Sequence, residues 1–262
     1  MRSPYVKVLL FITAFIFVSC GTGELGGLKG KIQKELDGSP FLQEEGIKLT
    51  VLKEENGYVT IDMVKGSRKI REKIDKGLDI LATGDMGIGN TTPSAAIAVA
   101  LTGRSVNEIV GRGTGVDDAG LQRKITAVMQ AVKINQPDSK DGLDVITKVG
   151  GYEIAGLTGA ILAAVANQKP VVIDGFISTA AAMIAVSLAS QVRDYLVSAH
   201  RSQELGHQIM LEWLGLEPLL DLQMRLGEGT GAVLAISIVE AACKTLDEMA
   251  TFGEAGVSDK ED

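Results

Sequence analysis

Two carboxylates of this chain stand among glycines, each where a loop runs into a helix start. One is Asp85 in "TGDMGIGNTTPSAA", residues 83–96; the other is Glu228 in "RLGEGTGA", residues 225–232. Gly227 and Gly229 flank Glu228 and strip it of steric cover, which suits a base that must touch a substrate. The bland role for either acid is a helix cap, where negative charge favours the helix dipole. After Asp85, Gly87 and Gly89 admit close backbone approach, and Asn90 and Thr91 lead into a Thr-Thr-Pro opening. A Thr hydroxyl can cap free N–H groups, and Pro tolerates the first helical turn. Those N–H groups point into the glycine bend, where an anion is at home. The stretch therefore reads as a strand–loop–helix phosphate cradle with an acid beside it.

Two more turns are rich in glycine and polar groups: "GRGTGVDDAGLQRK" (111–124) and "SAHRSQELGH" (198–207). Lys124 offers a point charge for a phosphate, against the commoner role of a solvated helix lysine. His200 and His207 lie seven apart with no third ligand evident, so no metal site is expected. The chain lacks both the G-x-G-x-x-G order and the G-x-x-x-x-G-K-[ST] phosphate loop. Ser-His-Asp chemistry stays open, without a nucleophile-elbow sequence to support it.

These turns need elements to hold them. From residue 67 onward, helical and short apolar strand-like segments alternate. "SRKIREKIDKGLDIL" (67–81) reads as an amphipathic helix running into "DILAT", and "PSAAIAVALTG" as a helix stopping near Gly103. Residues 153–168 and 178–190 read as small-residue helices around the buried strand "PVVIDG" (170–175). "YLVSAH" (195–200) is a further strand, "SQELGHQIMLEWLG" is helical, and 230–252 is a long helix. Before them, "IKLTVL" (47–52) and "GYVTIDMV" (57–64) alternate as strands across "KEENG". Alternating strands and helices imply an α/β fold with a mainly parallel sheet, flanked by helices and binding ligands beyond the carboxyl ends of the strands. The glycine turns would then meet on one edge.

The chain has 262 residues, 45% of them hydrophobic, enough for one substantial core or two small ones. A net charge of −7 leaves no basic surface for nucleic acid. Two cysteines, Cys20 and Cys243, make neither a disulfide framework nor a zinc pattern, and Cys243 reads as a buried, inert thiol. The N-terminus carries Arg2 and Lys7, the apolar run "VLLFITAFIFV" (8–18), and a small residue before Cys20. Residues 1–20 thus read as signal-like, of the export or lipoprotein kind. A buried core strand or a misassigned start has the same look, and the run is short for a bilayer span of ~20 residues. On the signal-like reading, deletion of residues 1–20 leaves a soluble and active chain.

Taken together, "GDMGIGNTTPSAAIAVALTG", "GRGTGVDDAGLQRK", "KVGGYEIAGLTGAILAA", "PVVIDGFISTAAA", "SAHRSQELGH" and "RLGEGTGA" resemble the nicotinate-nucleotide:dimethylbenzimidazole phosphoribosyltransferase family over residues 65–252. The resemblance implies a Rossmann-like sheet, a smaller helical domain and a homodimer engaged in assembling the nucleotide loop of cobalamin (vitamin B12). It implies transfer of phosphoribose from nicotinate mononucleotide to 5,6-dimethylbenzimidazole or a related base, with no cofactor and no metal. Glu228 matches the family's catalytic carboxylate, and Asp85, the second catalytic acid the resemblance implies, beside the reacting sugar, stands where the family usually has Glu, one methylene shorter. Gly87, Gly89, Asn90 and Thr91 match the phosphate loop; Lys124 and Ser202 match phosphate-side positions; Gly227 and Gly229 frame the base. Residues 21–64 are an atypical N-terminal region, and residues 1–64 are shorter than the family's, which implies an incomplete helical domain and acceptor pocket. Residues 253–262 are a polar tail. A cytoplasmic location follows from the intracellular substrate, with a membrane-tethered or exported form as the alternative. A catalytically impaired nucleotide-binding relative and an exported lipoprotein are the rival functions.

Overall fold

The computed structural model describes residues 8–13, 54–55, 58–59, 70–113 and 115–256. The strands in chain order are β1 (Val8–Thr13), β2 (Glu54–Glu55), β3 (Tyr58–Val59), β4 (Ile80–Asp85), β5 (Val171–Ile173), β6 (Leu196–His200) and β7 (Pro218–Leu220). Between β4 and β5 lie α1 (Thr91–Thr102), α2 (Val106–Ile109), α3 (Asp118–Asn135), α4 (Gly142–Val149) and α5 (Tyr152–Ala166). Three helices follow: α6 (Gly175–Leu188), α7 (His207–Leu214) and α8 (Thr230–Glu248).

Five strands form one sheet in the order β1-β4-β5-β6-β7, every pair parallel. From β4 to β7 the sheet grows in one direction, and right-handed crossovers then place the connecting helices on one face. Side chains alternate accordingly. Leu81, Val171, Ile173 and Leu196 enter the large core beneath α1 and α3–α7. Ile80, Ala82, Val172 and Ala199 face the other way, against Ala232 and Ala235 of α8. Helix α6 is buried from Gly175 through Val186, so its sequence is apolar all round and carries no amphipathic stripe. The helices of 106–149 join the same core through Ile109, Val128, Val145 and Ile146.

Several boundaries differ from the sequence expectation. The helix placed at 67–81 is helical at 70–74 and stops at Gly77, whose φ of +88° breaks it before β4 begins at Ile80. In the 202–215 stretch only His207–Leu214 is helical, and the long last helix ends at Glu248. Helices α2, α3 and α4 and the short edge strand β7 have no counterpart in the sequence expectation. Gly103 does end α1, at φ +68°. Strand β3 falls within the strand expected at 57–64, but its antiparallel partner β2 occupies Glu54–Glu55, inside the segment expected to turn; residues 47–52 lie outside the described residues. Cys243 is exposed, because it sits on the part of α8 that has left the sheet; Cys20 lies outside the described residues.

Part of the apolar N-terminal run is in the sheet. Val8–Thr13 pairs with Ile80–Asp85 in register, Thr13 opposite Asp85. Deletion of residues 1–20 is therefore expected to bare the β4 edge and lower the melting temperature. A melting curve unchanged by the deletion would restore the reading of a detachable leader. Among the described residues no helix is long and apolar enough to cross a membrane.

Candidate active site

Because the strands are parallel, their carboxyl ends and the loops leaving them share one edge. There the chain forms a cleft of about 430 Å³. Four carboxylates line it: Asp85 at the end of β4, Asp174 after β5, Glu204 after β6 and Glu228 before α8. Arg225 is the cation among these lining residues. Gly87, Gly113, Gly115, Gly175 and Gly227 leave backbone exposed to a ligand, and Thr91 and Ser202 offer hydroxyls. Of the residues singled out from sequence, Asp85, Gly87, Thr91, Ser202, Gly227 and Glu228 line the cleft; Gly89, Asn90, Lys124 and Gly229 are not among its lining residues.

The two suspected carboxylates are held very differently. Asp85 is buried at 5% exposure, with Oδ1 accepting from Met86 N–H at 2.9 Å and Oδ2 from Asn90 Nδ2 at 2.9 Å. Asn90 also donates to Met86 O at 2.8 Å, so Asp85 and Asn90 together brace the glycine loop. Gly89 completes the bend at φ +72°.

Glu228 is on a tight turn. Thr230 N–H donates to Gly227 O at 3.0 Å, and the two central residues have positive φ, +59° at Glu228 and +85° at Gly229. That is a type I′ turn with a glutamate where Gly, Asn or Asp is preferred. A non-glycine residue in this region costs roughly 1–2 kcal/mol. The carboxylate does not cap α8: Asp174 does, its Oδ2 accepting from Gly231 N–H at 3.1 Å. No hydrogen bond or ion pair engages the Glu228 carboxylate among the described residues. A carboxylate so placed is free to take a proton from a ligand in the cleft.

The helix-cap expectation at Thr91 is corrected by the geometry. Asn90 is the cap residue of α1 by position, yet makes no side-chain capping bond. The Thr91 hydroxyl instead accepts from Lys124 Nζ at 2.9 Å, and Lys124 also donates to Gly111 O at 3.0 Å. Burial lowers the Lys124 pKa, with Glu204 opposing the shift. Lys124 thus ties α1 to the 111–115 loop from beneath. Glu204 holds that loop from the other side, Oε2 accepting from Gly113 N–H at 3.3 Å. Arg225 reaches Gly113 O at 3.5 Å from across the cleft.

The two histidines are structural neighbours of the site, and no described cluster of side chains could hold a metal ion. His207 is buried; its Nδ1 accepts from Ser202 N–H at 3.0 Å, which puts the ring proton on Nε2. Nε2 lies 2.9 Å from Thr179 Oγ1, which in turn donates to Gly175 O at 2.7 Å. This chain locks the Ser202 loop to the start of α6. Burial, and then the neighbouring His200, push the His207 pKa down to about 3. The unfolded chain binds this proton near pH 6.5 and the folded one does not. Stability from His207 is therefore present above pH ~6.5 and lost as pH falls toward about 3. Urea unfolding at about pH 7, 5.5 and 4.5 should show a steeper acid loss in the parent than in His207→Gln. Parallel curves would remove His207 from the acid response.

Sequence reasoning missed Asp174, Glu204 and Arg225 as wall residues. The signal for Asp174 was present: in "VVIDGF", an acid and a glycine follow a buried strand, much as "GD" closes β4. Nothing local marks Glu204 or Arg225.

An α/β protein with a glycine-walled cleft at the carboxyl edge of a parallel sheet belongs to a large class of ligand-binding and group-transfer proteins. Similarity to known proteins narrows the class. The DBI_PRT family model, described as phosphoribosyltransferase, matches residues 58–257. A nicotinate-nucleotide--dimethylbenzimidazole phosphoribosyltransferase of Roseiflexus sp. (strain RS-1) is 64% identical over 189 residues, covering 72% of this chain and 54% of the relative. Its counterpart from Desulforudis audaxviator (strain MP104C) is 58% identical over 193 residues, 74% of this chain and 55% of the relative. The crystal structure of CobT from Thermus thermophilus matches with a TM-score of 0.72 at 47% identity, covering 76% of this chain and 59% of that one. The chain belongs to the DBI_PRT phosphoribosyltransferase family. It spans about half the length of the curated relatives it matches.

Proposed function

We propose that this chain transfers the phosphoribosyl group of nicotinate mononucleotide to 5,6-dimethylbenzimidazole or a related base, releasing nicotinate and α-ribazole 5′-phosphate. The observation that carries the reading is Glu228, held on a strained turn at the cleft with its carboxylate uncommitted. In this mechanism Glu228 takes the proton from one ring nitrogen of the acceptor. The other nitrogen attacks C1 of the ribose, the bond to the pyridinium nitrogen breaks, and C1 inverts from β to α. The leaving group departs as neutral-ring nicotinate, so its own positive charge drives the departure. The work of the site is positioning plus general-base catalysis.

The phosphate is assigned to the glycine loops at Gly87 and Gly113, with Arg225 as its cation and Ser202 nearby. Asp85 then acts through the loop it braces, holding the nucleotide side of the cleft, and Lys124 supports that loop from below. The protein would work in the cytoplasm, as a homodimer, in assembling the cobalamin lower ligand. Incubation with nicotinate mononucleotide and a panel of benzimidazole and phenolic acceptors, read by mass spectrometry, tests the reading. The expected result is a base riboside phosphate and nicotinate in equal amounts. Mononucleotide binding without nicotinate release would instead mark a binding relative that lacks the acceptor half of the reaction.

A further inference from the structure

The turn that carries Glu228 leads into a helix start that rests on a buried pair, which the mechanism above does not use. His200 and Asp174 are 1% and 2% exposed, with His200 Nδ1 2.6 Å from Asp174 Oδ1. The approach is close but too poorly aligned for a regular hydrogen bond, and His200 Nε2 has no hydrogen-bond partner among the described residues. Asp174 passes this contact on through Oδ2, which accepts from Gly231 N–H in the first turn of α8. Gly231 has no room to shift: a Cβ there would lie 2.1 Å from His200 Nδ1 and 2.4 Å from Asp174 Oδ1. The helix start therefore rests directly on the pair, and Glu228 precedes Gly231 by three residues.

We infer that His200 is a positioning residue for Glu228. It acts through Asp174: the imidazole, packed 2.6 Å from Oδ1, limits where the carboxylate can lie, the carboxylate holds the Gly231 amide, and the amide sets the seat of the type I′ turn. A buried carboxylate moves when the side chain beside it goes, and a misplacement of about 1 Å at a reacting group can cost ~10²-fold in rate. The inference rests on the reading of Glu228 as the base, and the test separates the two.

His200→Leu removes the polar neighbour, whereas His200→Asn keeps a polar group near the position of Nδ1. In the full-length protein, His200→Leu is expected to lower kcat by ~10–10²-fold with the KM for nicotinate mononucleotide nearly unchanged. His200→Asn should recover most of that loss. By amide hydrogen exchange, Gly231 should exchange faster in His200→Leu than in the parent and in His200→Asn. Should the parent catalyse no transfer, the proposed function fails and the exchange measurement alone still decides the positioning role. If His200→Leu does not fold, Asp174→Ala, which removes the acceptor of the Gly231 amide, is expected to give the same kinetic split and the same loss of Gly231 protection. Equal Gly231 exchange in all variants, or a kcat loss matched by an equal rise in KM, would overturn the inference.

Discussion

Glu228→Gln is expected to lower turnover by ~10²–10⁴ while nicotinate mononucleotide still binds. The substitution keeps the shape and the positive φ of the turn and removes only the capacity to take a proton. The structure gives the carboxylate no other employment: Asp174, not Glu228, accepts from the start of α8. A second substitution separates chemistry from folding. Glycine has no penalty at φ +59°, so Glu228→Gly should relieve roughly 1–2 kcal/mol of backbone strain, partly offset by the added freedom of the unfolded chain. The glycine variant should therefore be inactive yet melt at or above the parent temperature. Near-normal turnover in folded Glu228→Gln would remove this residue from the mechanism, and a marked fall in the melting temperature of Glu228→Gly would show that the side chain holds the turn.

Gly84→Ala is the second large effect. Gly84 is inside β4, where alanine is ordinarily acceptable, but the Glu228–Gly229 backbone lies against it. A Cβ at Gly84 would come within 2.1 Å of Gly229 N and 2.6 Å of the Glu228 carbonyl carbon. Those are main-chain atoms of a turn already at positive φ, so they cannot rotate aside as a side chain does. Overpacking of this kind costs about 1–3 kcal/mol, and any relief must come from pushing the turn off the sheet. Gly84→Ala should thus lose several degrees of melting temperature together with ~10²-fold of turnover. Gly156→Ala is the matched control. A Cβ at Gly156 meets nothing within 4 Å, and alanine is favoured over glycine in a helix by about 1 kcal/mol. The pair is measured by melting and single-turnover transfer; equal behaviour of the two variants would refute the close approach.

Much of the architecture was legible along the chain. The alternation of apolar strands with small-residue helices predicts a parallel sheet, and the sheet is parallel throughout from β1 to β7. Gly103 marks the end of α1 because a left-handed residue must follow its last turn. Helices α3 and α4 were illegible for a different reason. Helix α3 buries only Gly120 and Val128 outright, so its apolar stripe is narrow, and α4 is a short element whose Asp141 cap lies in a polar run. The end of the 70–74 helix was misjudged because the apolar pattern continues past Gly77 into β4.

At the site, the sequence by itself determined the inventory: which loops carry glycine and carboxylate, and that Glu228 stands between two glycines. Only the tertiary structure decided which carboxylate is occupied. Asp85 and Glu228 look alike as letters, but Asp85 is turned back on its own loop by Asn90, and Glu228 is relieved of capping by Asp174, a residue far away in the chain. Lys124 likewise commits its donors to Thr91, 33 positions away, and to Gly111. Such assignments depend on which groups meet after the strands align. Local patterns specify turns and periods over a few residues, whereas the partner of a buried charge is chosen by the packing of distant elements, and that choice decides which acid is left to react.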